Sequence, residues 1–152
     1  MKKQVKQQAF VIFVLLMFVG SGLAYAVMWV FPEQPKTQLM YNMPLSNSEE
    51  AQFLQKNLVV VKLFYLEENE DSKQAIKDIQ DIFQELNGKM IIEFIDIDMW
   101  KDDVEAFDVK EVPFFYLKGK TIDKTGKVER EELIKRICNL YFEPIDECAL
   151  IS

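Results

Sequence analysis

The sequence predicts an α/β fold: a mixed sheet flanked by helices on both faces and preceded by an N-terminal hydrophobic helix. Three observations carry that prediction. Residues 58–66 (LVVVKLFYL) form a nearly unbroken β-branched and aromatic run, which fits a strand buried on both faces and central in its sheet. Apolar residues then switch to helical spacing at Ile76, Ile79, Ile82, Phe83 and Leu86, before a second strand-like run, MIIEFIDI, at residues 90–97. Ahead of all of this, residues 9–31 carry no charge.

At about 1.5 Å per residue, a helix of that length crosses a hydrocarbon core of about 30 Å. Lys2, Lys3 and Lys6 precede the run, and a mixed Glu33 and Lys36 follow it. The positive-inside bias therefore places residues 1–8 in the cytoplasm and everything after residue 31 outside, with the membrane as a partner through residues 9–31. A cleavable signal peptide has nearly the same layout: a Lys-rich start, an apolar stretch to Val19, helix-loosening Gly20-Ser21-Gly22, then Ala24-Tyr25-Ala26. Cleavage after Ala26 would leave a secreted or periplasmic protein. The continuation of the apolar run through Phe31 favours a retained transmembrane anchor, and either reading sends the remaining chain outside the cytoplasm.

What remains is acidic. With three of the 18 basic residues ahead of the apolar run, 15 stand against all 25 acids after it. Such a domain is a poor ligand for nucleic-acid phosphates or anionic lipid. The chain has no histidine, which excludes Ser-His-Asp and Cys-His catalysis and histidine-based zinc sites. Cys138 and Cys148 are spaced as in no zinc or redox motif.

The elements follow in order. Residues 32–36, with two prolines, are a short stiff linker. Residues 37–43 alternate weakly as a first strand. Ser46-Asn47-Ser48-Glu49 is a capping box opening a short helix with Ala51, Phe53 and Leu54 on its apolar side. After the central strand, the polar residues 67–71 lead into the long helix, which Asn87-Gly88 stops. Val104 and Phe107 belong to a short helix. Pro113 starts a third strand, where a missing amide costs least, and Phe114, Phe115 and Tyr116 face the core and a neighbouring helix. Gly119 and Gly126 mark turns. Residues 129–141 form a last helix with Leu133, Ile134, Ile137 and Leu140 inward, ahead of a tail at 143–152.

The order β-α-β-α-β-α-β-β-α, with a buried strand feeding an acidic loop and helix and Val112-Pro113 before a later strand, resembles the thioredoxin fold across residues 37–142. Within it, Leu63-Phe64-Tyr65 through Gly88-Lys89 to Asp96-Ile97-Asp98 follows the thioredoxin pattern without a gap. The resemblance implies a thioredoxin-like sheet with cis-proline at Pro113. For activity its implication is negative: Asn69-Glu70-Asp71-Ser72 stands where the redox Cys-x-x-Cys would be. Asn69 and Ser72 take the cysteine positions, and neither forms a disulfide. Leu63 falls where the family has a buried acid beneath the site, and Phe94 falls at its supporting lysine. Thiol–disulfide exchange needs an attacking thiolate, and none is expected here.

Glu67, Glu68, Glu70 and Asp71 at this helix start are accounted for by the helix dipole, with Asp71 or Ser72 as N-cap. A weak cation site or an acidic rim is the functional alternative, but no EF-hand spacing supports it. No metal and no cofactor is therefore assigned. The resemblance also implies a groove for an extended peptide, lined by Asn69, Glu70, Asp71, Ser72, Glu111, Val112 and Pro113. In an oxidising space Cys138 and Cys148 are expected to pair, pinning the tail to the last helix. In a thioredoxin-like sheet that helix runs away from the active-site end, so Cys138 should lie opposite Ser72. The functional expectation is a membrane-tethered, extracytoplasmic module without thiol–disulfide oxidoreductase activity that binds a protein or peptide, in a chaperone-like or assembly role. The competing class is a divergent thiol oxidoreductase or peroxidase working through Cys138 and Cys148. A third is a structural subunit of a membrane complex, for which Gly20 and Ala24 offer a weak small-xxx-small match.

Overall fold

The computed structural model describes residues 38–151. The apolar segment 9–31 and the linker 32–36 lie outside the described residues, and among the described residues no helix is long and apolar enough to cross a membrane. The elements are β1 (Met40–Tyr41), α1 (Asn47–Gln55), β2 (Val59–Tyr65), α2 (Glu70–Glu85), β3 (Met90–Asp96), α3 (Lys101–Ala106), β4 (Phe114–Lys118), β5 (Ile122–Thr125), α4 (Arg130–Cys138) and α5 (Asp146–Ala149). They follow the sequence-predicted order, with two differences. The first strand shrinks to two residues, and the tail carries the extra four-residue helix α5, too short to show a helical period.

The sheet order is β1-β3-β2-β4-β5. β1 and β2 run parallel to β3, while β4 runs antiparallel to both β2 and β5, so the sheet is mixed and β2 lies at its centre. Alternation along β2 divides the core. Val59, Val61 and Leu63 join the main apolar cluster beneath α2 and α4, with Ile79, Ile82, Leu133 and Ile137. Val60 and Phe64 face the other way, into two smaller clusters: one with Phe53 of α1 and Ile91, the other with Ile95 and Tyr116 against Val104 and Phe107.

Local chemistry sets the boundaries. The Ser46 capping box is formed in full. Asn87 and Gly88 both take positive φ, 50° and 69°, and the Gly88 N–H reaches the Phe83 carbonyl at 2.9 Å to close α2. The chain after α4 then crosses the N-terminal end of the parallel strands. Leu140 O accepts from Lys120 N at 2.8 Å, and the Tyr141 hydroxyl donates to Lys89 O at 3.0 Å. The Asn57 amide pairs both ways with the Glu143 backbone, at 2.9 and 3.0 Å. Gly119 makes this approach possible, since a Cβ there would stand 2.2 Å from the Leu140 carbonyl oxygen.

Candidate functional site

At the C-terminal end of β2 the chain turns into α2 through the residues that the sequence reading aligned with a redox site. Asn69, rather than Asp71 or Ser72, is the N-cap: its Oδ1 accepts the Ser72 N–H at 2.8 Å. Asn, Asp and Ser cap about equally well, so the position at which the chain leaves β2 decides among them. Ser72 is fully buried, and its hydroxyl accepts the Leu66 N–H at 3.3 Å. Both side chains are thus committed to holding the helix start. Glu70 pairs with Lys73 at 2.6 Å on the surface, and Asp71 pairs with Lys127 at 2.7 Å. Among the described residues, no group of three or more acidic or cysteine side chains could hold a metal ion.

The Val112–Pro113 peptide is cis. Beside it an open cleft of about 690 Å³ runs between the start of α2 and the start of α4, lined among others by Asp71, Gln74, Pro113, Lys127, Arg130 and Leu133. Of the seven residues assigned to a groove from sequence, Asp71 and Pro113 line this cleft. Asn69, Glu70, Ser72, Glu111 and Val112 do not, and Ser72 faces inward. Sequence reasoning missed Lys127, which arrives from the turn after β5, and Arg130, the first residue of α4. Hydrogen bonding to Asp71 raises the Lys127 ammonium, and bonding to Glu85 raises the Arg130 guanidinium.

A second group of polar side chains was also missed. Lys62 and Glu93 are register partners on β2 and β3, 2% and 0% exposed, on the α1 and α3 face between the two small apolar clusters. Lys62 Nζ lies 2.6 Å from Glu93 Oε2 and 2.7 Å from Glu50 Oε1 of α1. Lys118 of β4 holds the other Glu50 oxygen at 2.7 Å. Leu45 N–H donates to Glu93 Oε2 at 3.0 Å, and the Phe107 ring lies 5.4 Å from the Lys62 ammonium. Burial works against the Lys62 charge, but Glu93 and Glu50 outweigh it and hold the ammonium above its ordinary range. Burial pushes the Glu93 carboxyl up, against the pull of Lys62; its Oε1 has no hydrogen-bond partner among the described residues. The signal in the sequence was a charge in the middle of each apolar strand, LVVV-K-LFYL and MII-E-FIDI, the second of which also carries Asp96 near its end. Leu63 and Phe94, the positions aligned with the family's acid and lysine, are themselves register partners one residue further on. That one-residue offset puts the ion pair on the opposite face of the sheet from α2.

Cys138 and Cys148 form a disulfide with Cα atoms 5.6 Å apart, pinning α5 to the end of α4. Next to it Glu147 takes hydrogen bonds from Asn87 and Lys89, at 2.9 and 2.7 Å, at the N-terminal end of β3. The disulfide therefore lies at the opposite end of the sheet from Ser72.

No family model and no curated protein matches the chain by sequence. Solved structures do match in shape. A thioredoxin mutant from Halobacterium salinarum superposes with a TM-score of 0.57 at 17% identity, over 73% of this chain and 98% of that one. Trxlp from Edwardsiella tarda gives 0.54 at 14% identity, over 64% and 97%. A chain from a structure describing thiol resolution in yeast mitochondrial 1-Cys peroxiredoxin via glutathione/thioredoxin systems gives 0.55 at 21%, over 68% and 97%. The fold is thioredoxin-like. In this thioredoxin-like domain the chain has two cysteines, not in a Cys-x-x-Cys arrangement, and both are joined to each other.

Proposed function

We propose that this thioredoxin-like domain is a protein- or peptide-binding module without thiol–disulfide oxidoreductase activity, tethered outside the cytoplasm by residues 9–31. The observation that carries the reading is the fate of Asn69 and Ser72. Both are spent on the backbone of the α2 start, and neither position carries a thiol. The only thiols in the sequence are joined to each other at the far end of the sheet. What the α2 end offers is recognition: an open cleft with Pro113 as its apolar floor and Asp71, Lys127 and Arg130 as charged edges. A chaperone-like or assembly role would use that cleft for an extended segment of another protein.

Insulin reduction driven by dithiothreitol tests the reading, with the full chain in mild detergent and the Cys138→Ser and Cys148→Ser variants alongside. The expected rate equals the dithiothreitol control for all three proteins. Turnover above control that disappears in either serine variant would overturn the reading in favour of a divergent oxidoreductase.

A further inference from the structure

The cleft beside Pro113 is walled by the starts of α2 and α4, whose dipoles on their own would favour an anionic occupant. The side chains cancel that preference. Glu70 and Asp71 stand in the first turn of α2, and Glu131 and Glu132 in the first turn of α4. Four of the charged side chains lining the cleft are acidic: Asp71, Asp78, Glu129 and Glu131. The two basic ones, Lys127 and Arg130, are already engaged, by Asp71 and by Glu85. Asp78 accepts only from a neutral group, the Gln74 amide at 2.7 Å. Glu129 is exposed at the N-cap position of α4 without a side-chain bond to that helix, and Glu131 is exposed two residues on. Gly126 brings a further carboxylate to the same turn, since a Cβ there would stand 2.9 Å from Glu111 Oε1.

The floor between these charges is apolar, made by Ala75, Pro113, Phe115, Val128 and Leu133. An extended chain points successive side chains to opposite sides. One set can lie on that floor while the other reaches the rim, where Asp78, Glu129 and Glu131 have no cation of their own. The shallow pocket between Leu54 and Phe142 has one lysine and one glutamate, and so no such bias. We propose that the cleft selects an extended segment in which apolar residues alternate with lysine or arginine. The inference rests on the peptide-binding reading of this cleft and adds to it the charge of the partner. A neutral segment would leave the three carboxylates uncompensated, and an acidic one would be repelled by them.

The test measures fluorescence anisotropy with the full chain in mild non-ionic detergent. The probes are short labelled peptides in which valine or alanine alternates with lysine, with glutamine or with glutamate. The lysine peptide is expected to bind about tenfold more tightly than the glutamate peptide, by a margin that shrinks as salt is raised. Glu129→Gln with Glu131→Gln should weaken the lysine peptide several-fold; both side chains are exposed, so the core is left alone. Asp102→Asn with Glu105→Gln removes the same charge from α3, on the opposite face of the sheet, and should leave binding unchanged. Equal weakening by the two pairs overturns the inference in favour of the domain's overall acidity. Equal binding of the three peptides overturns the charge preference and leaves the peptide-binding reading standing. Tighter binding of the glutamate peptide overturns it in favour of Lys127 and Arg130. Binding of none of the three overturns the peptide-binding reading and this inference together.

Discussion

Lys62 is the residue at which this domain departs most from an apolar core. Taking an ammonium out of water costs several kcal/mol, and the two carboxylates at 2.6 and 2.7 Å offset that cost only together. Removing the cation alone leaves Glu50 and Glu93 buried with like charge. Lys62→Met is expected to cost about 3–5 kcal/mol in urea unfolding followed by circular dichroism. The triple change Glu50→Leu, Lys62→Met, Glu93→Leu should recover most of the loss, because the one charge it leaves without its carboxylate, Lys118, is partly exposed to water; a triple variant as unstable as the single one would refute this account. The sequence displayed both strand charges but not their partnership. Lys62 meets Glu93 through the parallel register of β2 and β3, and Glu50 comes from a helix on the other side of a turn.

Among the elements, the long strands and helices were legible because β2 and β3 are nearly unbroken apolar runs buried on both faces, while α2 and α4 bury one face at helical spacing. β2 and β3 appear within one residue of the apolar runs that announced them, and α2 ends at Asn87-Gly88. The connections were less legible, since they depend on what they touch. Asn57 sits at φ 57° after α1, and its side chain imitates a strand by exchanging two hydrogen bonds with Glu143, 86 residues away. Asn57→Ala removes both bonds and puts alanine, which tolerates the left-handed region less well than asparagine, at φ 57°, an expected loss of about 1–3 kcal/mol. Hydrogen exchange should report it locally, as faster exchange across residues 140–149 with β2 and β3 unchanged. Faster exchange of the whole sheet would show that the tail is part of the cooperative core instead.

For the whole molecule, the tail clamp also sets a pH dependence. Hydrogen bonds from Asn87 and Lys89 hold the Glu147 carboxyl down to about 2, from an ordinary 4.5. A depressed carboxylate stabilises the fold fully above its unfolded value and loses that contribution as pH falls toward the folded one. The Tm gap between the natural chain and Glu147→Gln should therefore be constant at neutral pH and close progressively as pH falls from 4.5 toward 2. A gap independent of pH would mean that the carboxylate charge does not contribute to the clamp. The sequence by itself determined the α/β class, the order of the elements and the absence of cysteines at the start of α2, because local periodicity and residue identity carry all three. Only the tertiary structure decided that Asn69 caps that helix, that Lys62 lies between two acids, and that Lys127 and Arg130 edge the cleft beside Pro113. Those contacts join segments far apart in the chain, and strand register and packing, which no local pattern encodes, bring them together.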